Sequence, residues 1–308
     1  MAEEITRKKS EVSKYLDPKT LTKIGGLDLK ARLIVEGYIS GQHKSPYHGF
    51  SVEFAEHREY TSGDDLKHLD WKVLGKTDRY YIKQYEEETN LRSYILLDTS
   101  ESMKFASPGN ISKLEYASYI AASLSYMLIR QQDSVGMVFF DNAIKKFIPA
   151  SSSPAHLRLL LHELGNVVPD QRTDTGSIFH DLAERIKRKG LIVILSDLFD
   201  DPEKLLFGLQ HFRHKRHEVV VFQLLDDFEI KFPFENMTLF EGYEGWEELL
   251  CDPRALRKSY MDEYRGFTDK MRRGCRNNKI DFVEVNTGNP LDVVLSAYLA
   301  TRLNSKFK

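Results

Sequence analysis

The sequence predicts an α/β fold in which a doubly wound, mostly parallel sheet occupies most of the chain. From about residue 92 onward, short apolar segments alternate with longer amphipathic ones. The apolar segments are rich in β-branched residues and contain almost no polar ones, which is typical of strands covered on both faces. Two of them are followed by acidic residues, at the sheet edge where open α/β folds bind their ligands.

Six segments have the composition of buried strands. They span residues 94–97, 135–140, 144–148, 191–196, 219–225 and 280–285. Only Asp141, Asn142 and Ala143 separate the second segment from the third. Because a crossover needs a longer connection, we predict that these two strands form an antiparallel hairpin at one edge of the sheet.

Helical patterns lie between the other strands and after the last one. They cover residues 113–130, 154–164, 176–189, 202–214, 253–277 and 290 to about 303. Pro154, Pro202, Pro253 and Pro290 each stand at or near a predicted helix start, where a proline sacrifices no hydrogen bond. The strand–helix alternation predicts right-handed crossovers. The aromatic segment 231–250 is predicted to be irregular.

The part of the chain before residue 91 has a different character. It is rich in Gly, Tyr, His and charged residues after residue 36, with short alternating runs at 50–55 and 79–85. Such runs predict a few antiparallel strands. We therefore divide the chain into three regions: 1–36, partly helical; 37–90, small and β-rich; and 91–304, the α/β domain.

Composition excludes several classes of function. The 308-residue chain has a formal net charge of −2, so no strong attraction to nucleic acid or to a membrane surface is expected. It contains no apolar run near 18 residues, and its first nine residues have no apolar signal core. Its two cysteines do not make a disulfide framework. We expect a cytoplasmic protein without a membrane span.

Oxygen-bearing side chains follow two of the apolar segments. Asp98, Ser100 and Ser102 come directly after the first segment, and Asp197 follows the segment 191–196. Parallel strands would place both carboxylates at one edge of the sheet. Carboxylate, hydroxyl and water oxygens are the ligands that Mg²⁺ and Mn²⁺ prefer, so the pattern predicts a site for one of these ions.

Two motifs carry a family resemblance. Residues 53–71, EFAEHREYTSGDDLKHLDW, are similar to the leading signature of the bacterial domain-of-unknown-function 58 family. Residues 96–103, LLDTSESM, match the D-x-S-x-S opening of the metal site in von Willebrand factor A-like (vWA) domains. The resemblance runs from about residue 37 to residue 303. It implies a Rossmann-like vWA sheet of order 3-2-1-4-5-6, with the strands that end in Asp98 and Asp197 side by side.

The resemblance also implies a metal-ion-dependent adhesion site with five members. The residues that fit the family pattern are Asp98, Ser100, Ser102, Thr173 and Asp197. Thr175 stands two residues after Thr173 and remains an alternative. Asp200 or Asp201 is better placed than Asp197 to cap the helix that follows, which leaves Asp197 for the ion.

A site of this kind recognises a partner and breaks no bond. The ion keeps a water position that an Asp or Glu of another protein can take. Proteins similar to this one are often encoded beside MoxR-type AAA+ ATPases and are regarded as their partners. The resemblance therefore implies a metal-dependent interaction module that acts with such an ATPase on an unknown client protein.

Two alternatives remain open at this point. Haloacid-dehalogenase-type phosphohydrolases also use an aspartate after the first strand, but they need a second aspartate two residues later as general acid. Ser100 occupies that position here. In the other alternative, the segment from Gly63 to Trp71 binds a partner without metal, with Asp64, Asp65 and Trp71 as the contact residues.

Overall fold

The computed structural model describes residues 18–22, 26–42, 57–59, 81–83, 91–169, 175–242, 248–291 and 295. The chain forms two compact units, residues 42–90 and the remainder (1–41 with 91–308). In the smaller unit, strands β1 (His57–Glu59) and β2 (Tyr81–Lys83) pair antiparallel, with His57 opposite Lys83. The run predicted at 79–85 contains β2, and the run at 50–55 lies outside the described residues.

The larger unit contains the predicted alternation of strands and helices. Its strands are β3 (Arg92–Asp98), β4 (Ser134–Phe140), β5 (Ile144–Ser151), β6 (Leu191–Ser196), β7 (Glu218–Leu225), β8 (Thr238–Phe240), β9 (Leu249–Cys251) and β10 (Asp281–Asn286). Its helices are α1 (Pro18–Leu21), α2 (Leu27–Gln42), α3 (Lys113–Arg130), α4 (Pro154–Gly165), α5 (Thr175–Arg185), α6 (Pro202–His214), α7 (Asp227–Lys231) and α8 (Pro253–Asn277). Of the helix predicted from Pro290, residues 291 and 295 are described, and both are helical.

Six of these strands form one sheet in the order β5-β4-β3-β6-β7-β10. Numbered along the chain within this sheet, the order is 3-2-1-4-5-6, which confirms the predicted topology. β4 and β5 pair antiparallel at one edge, as the three-residue connection predicts, and every other pair is parallel. β3 and β6 are therefore neighbours at the centre, where the strand order reverses.

Each face of the sheet is covered by its own apolar core. Ile95 and Leu97 point into one core, and Leu96 between them points into the other, because successive strand residues face opposite sides. This double coverage explains why the central strands are apolar throughout. Helices α2, α3 and α4 pack on the first face, and α5, α6 and α8 pack on the second.

Helix starts follow the predicted chemistry. Pro154, Pro202 and Pro253 are the first residues of α4, α6 and α8. The residue before each proline caps the helix: the Ser153, Asp201 and Asp252 side chains accept hydrogen bonds from backbone N–H groups of the first turn.

Two local predictions were wrong. Helix α5 ends at Arg185, four residues earlier than predicted: residues 186–190 form the connection to β6, and Gly190 lies against the Arg92 carbonyl. The segment 231–250 is not wholly irregular, since it contains the antiparallel pair β8–β9. Ring contacts among Phe232, Phe234 and Phe240 hold its first half together.

No helix within the described ranges is long and apolar enough to cross a membrane.

Candidate metal site at the carboxyl edge of the sheet

Asp98 is the last residue of β3, and only 1% of its surface is exposed. Its Oδ1 accepts a hydrogen bond from the Ser100 backbone N–H at 2.9 Å. Its Oδ2 accepts one from the Ser196 hydroxyl at 2.5 Å. Leu97 lies opposite Leu195 in the paired strands, so Asp98 and Ser196 meet at the carboxyl edge of the sheet.

The two predicted hydroxyl ligands lie together beside this carboxylate. The buried Ser100 Oγ is 3.1 Å from Ser102 Oγ. Ser100 has an extended backbone and precedes a short 3₁₀ helix, Glu101–Lys104. This turn brings Ser102 back toward Ser100. Both hydroxyls, which are two residues apart in the motif, therefore lie at the end of β3.

Asp197 follows the last residue of β6, with 6% of its surface exposed. Its Oδ1 accepts a hydrogen bond from the Phe199 N–H at 3.2 Å. It does not cap α6, because Asp201 does so by accepting from the Glu203 and Lys204 N–H groups at 2.7 and 3.2 Å. The prediction that a later aspartate caps this helix is thereby confirmed.

The pKa of Asp98 is raised above that of a free aspartate. Burial raises the pKa of Asp98 to about 7, and the negative charge of Asp197 adds to this effect. The hydrogen bonds from Ser196 and Ser100 only partly offset it. A cation bound by both carboxylates would favour the ionised form of Asp98.

A buried lysine is the feature of this edge that sequence reasoning missed. Lys113 Nζ donates to Asp197 Oδ2 and to Glu229 Oε1, both at 2.7 Å, and 2% of the lysine is exposed. Burial opposes its charge, but the two carboxylates outweigh burial and raise the pKa of Lys113. One sequence signal was available: Lys113 is the first residue of α3, where the helix dipole disfavours a cation.

Ser196 was also missed, although it stands between the last apolar residue of β6 and Asp197. Its hydroxyl links the two central strands by donating to Asp98 and accepting from the Leu198 N–H at 2.9 Å. Four of the five predicted ligand positions can be located at this edge: Asp98, Ser100, Ser102 and Asp197. Thr173 lies outside the described residues, as do the Thr175 side chain and Asp64, Asp65 and Trp71.

These groups suit a hard divalent ion. Two carboxylates and two hydroxyls offer the oxygen chemistry of Mg²⁺ or Mn²⁺. Within the described part of the chain, no three His, Cys, Asp or Glu side chains are grouped so that they could hold a metal ion. Any ion at this edge would therefore depend on the serine hydroxyls as well as on the aspartates.

The raised pKa of Asp98 predicts how stability varies with pH in metal-free buffer. Between about pH 4 and 7 the folded chain holds a proton on Asp98 that the unfolded chain has lost. The free energy of unfolding therefore falls as pH rises to about 7, by at most about 1.4 kcal/mol per pH unit, and levels off above. Urea unfolding of the wild type and Asp98→Asn in EDTA measures this dependence. The free energy of unfolding of the variant should increase relative to that of the wild type as pH rises to about 7. Parallel profiles would contradict the raised pKa.

Similar proteins include the uncharacterized protein Rv1480 of Mycobacterium tuberculosis. It is 25% identical over 267 residues, which are 84% of this chain and 83% of that protein. Among solved structures, the chain is similar to the conserved hypothetical protein BatB from Bacteroides thetaiotaomicron, with a TM-score of 0.45 and 16% identity over 70% of this chain and 98% of that one. It is also similar to the SpRpn10 VWA domain, with a TM-score of 0.36 and 9% identity over 67% and 93% of the two chains.

The family model described as "Protein of unknown function DUF58" matches residues 56–269, more than half of the chain. This range includes residues 56–71 of the leading signature, the D-x-S-x-S motif and Asp197. The match, the sheet order and the motif at the end of β3 agree with one another. The chain belongs to the domain-of-unknown-function 58 family and has a vWA-like fold.

Proposed function

We propose that this protein is a cytoplasmic, non-enzymatic interaction module that binds its partners through a divalent metal ion. The partners would be a MoxR-type AAA+ ATPase and a client protein that offers an acidic side chain. One observation carries the proposal: Asp98 and Asp197 lie at the carboxyl ends of the two central strands, and the Ser100 and Ser102 hydroxyls lie beside Asp98.

Asp98, Ser100, Ser102 and Asp197 would hold Mg²⁺ or Mn²⁺, and Thr173 is the further ligand that the sequence predicts. When bound, the ion supplies a positive charge that can attract a carboxylate of another protein. The hydroxyls are neutral ligands, so they leave more of that charge available than carboxylates would. The chain fixes the ligands beforehand: backbone N–H groups hold both aspartates, and Ser196 aligns Asp98.

The surroundings of the site also suit a protein partner. Phe199, two residues after Asp197, has 70% of its surface exposed, and its N–H binds the Asp197 carboxylate. A large apolar side chain beside a charged recognition site can supply buried contact area when a partner docks. Nothing within this protein's described core requires Phe199 to be apolar, since it lies outside both apolar clusters.

Phe199→Ala is expected to weaken binding of the purified MoxR-type ATPase by about tenfold in Mg²⁺, because the few aromatic residues that anchor an interface cost more than 1 kcal/mol when they are truncated. Its stability should change by less than about 0.5 kcal/mol. Phe207→Ala is the matched control, since Phe207 is 66% exposed but lies on α6, further along the chain from Asp197. Titration of labelled ATPase would compare the affinities of the two variants. An equal loss of affinity in both, or no loss in either, would contradict a contact at Phe199.

The metal dependence is tested by thermal unfolding with and without Mg²⁺ or Mn²⁺. At ten times its dissociation constant, an ion should stabilise the wild type by about 1.4 kcal/mol, which raises the midpoint by a few degrees. Asp98→Ala should remove the shift. Recovery of the ATPase in pull-downs should likewise require both Asp98 and the ion. Equal recovery by wild type and variant, in Mg²⁺ and in EDTA, would overturn metal-dependent recognition.

The non-enzymatic part of the proposal has its own test. An aryl-phosphate assay with Mg²⁺ should show no turnover that depends on Asp98, because Ser100 stands where a phosphohydrolase needs a general acid. Hydrolysis that Asp98→Asn abolishes would establish the phosphohydrolase alternative instead.

A further inference from the structure

The buried lysine at the carboxyl edge binds a carboxylate that the ion would also bind. Lys113 Nζ lies 2.7 Å from Asp197 Oδ2, in direct contact with a predicted metal ligand. The Phe199 N–H already engages the other carboxylate oxygen. An ion that binds this carboxylate would come close to an ammonium group of the same charge sign that is part of the chain.

We propose that Lys113 is a built-in competitor of the metal ion: it bridges Asp197 and Glu229 when no ion is bound and keeps only Glu229 when one arrives. The inference rests on the proposed metal-binding function and adds to it the residue that limits affinity. Lys113 and a divalent ion repel each other inside a buried site where water screens little. The ion must therefore displace the ammonium from Asp197 as well as bind its own ligands.

Glu229 is placed to receive the displaced lysine. Its Oε1 already accepts from Lys113 at 2.7 Å, while its Oε2 accepts from the Asp226 N–H at 2.7 Å. The second bond belongs to the capping box of α7, which fixes the carboxylate independently of the lysine. Lys113 would thus keep one charged partner after losing Asp197, and no buried ammonium would be left unpaired.

The arrangement predicts that ion affinity changes in opposite directions when Glu229 alone is substituted and when Lys113 and Glu229 are substituted together. Glu229→Gln removes the alternative partner, so Lys113 should hold Asp197 more firmly and the ion should bind several-fold more weakly. The double variant Lys113→Met/Glu229→Gln removes the competitor without leaving Glu229 charged and unpaired. It should bind the ion at least tenfold more tightly than the wild type.

The experiment is a titration of the full chain with Mn²⁺, in which electron paramagnetic resonance measures the free ion at one fixed pH. It compares the wild type, Glu229→Gln, the double variant, and the double variant with Asp98→Ala. Circular dichroism and urea unfolding confirm that each is folded. Tighter binding in the double variant, weaker binding in Glu229→Gln and loss of binding with Asp98→Ala would support the proposal.

The other outcomes separate the two proposals. Equal affinity in the wild type and the double variant would overturn the competition while leaving the metal site standing. Weaker binding in the double variant would also overturn it, since Lys113 would then support the ligands. If no folded variant, including the wild type, binds Mn²⁺, then the proposed metal-binding function fails, and this inference fails with it.

Discussion

Replacing Lys113 with methionine should lower the free energy of unfolding by about 3–5 kcal/mol in metal-free buffer, the range expected when one member of a buried ion pair is removed. The methionine fills a similar volume, so the loss is electrostatic. Asp197 and Glu229 would lie close together without the ammonium that now contacts both. Urea unfolding of the wild type and the variant in EDTA measures the difference.

Lys104→Met is the matched control for this variant. Lys104 also pairs with a glutamate, Glu101, at 3.1 Å, but its side chain is 41% exposed. An exposed pair contributes about 0–1 kcal/mol, so this variant should lose no more than that. Adding Glu229→Gln to Lys113→Met should recover part of the lost stability. Equal, small losses in Lys113→Met and Lys104→Met would show that the lysine does not compensate the two acids.

Gly190→Ala is the second substitution with a large expected effect, a loss of about 2–3 kcal/mol. A Cβ at Gly190 would lie 2.3 Å from the backbone oxygen of Arg92, the first residue of β3. The Gly190 carbonyl also accepts from the Glu218 N–H at 3.0 Å, at the start of β7. The backbone must shift to admit the methyl group, because the two nearest atoms, the carbonyl oxygen and carbon of Arg92, belong to the backbone of β3.

Gly165→Ala provides the comparison, because no atom lies within 4 Å of its Cβ position at the end of α4. This variant should be neutral or gain up to about 1 kcal/mol, since alanine favours the helix and restricts the unfolded chain. Gly190 precedes β6 whereas Asp197 follows it, so Mn²⁺ affinity should survive Gly190→Ala. A loss of stability shared equally by both variants would contradict the close approach at Arg92.

The sequence was most predictive where burial leaves little choice of residue. Apolar strands such as Leu191–Ser196 and helices that begin with a proline, such as Pro202–His214, were located to the residue. The hairpin of β4 and β5 followed from a connection too short for a crossover. The placement of Asp98 beside the end of β6 followed from topology, because parallel strands end at the same edge.

Features that depend on contacts distant in sequence could not be predicted in this way. Lys113 meets Glu229 across 116 residues, and a lysine at a helix start is usually solvated. The connection after α5 brings Gly190 against Arg92 of β3, a contact that a helical pattern does not contain. The pair β8–β9 joins two three-residue strands, too short to show an alternating pattern.

The apolar residues of β3 do not by themselves determine how this strand aligns with its neighbours. Because both faces of the sheet are covered, a shift by one residue would exchange one apolar face for another. The polar groups at the strand end distinguish the correct alignment. Asp98 binds Ser196 on one side, and the Thr99 N–H and hydroxyl both donate to the Phe140 carbonyl on the other, at 2.7 and 2.9 Å. A substitution at the proposed recognition site would therefore also weaken the preference for the correct strand alignment over a shifted one as the chain folds.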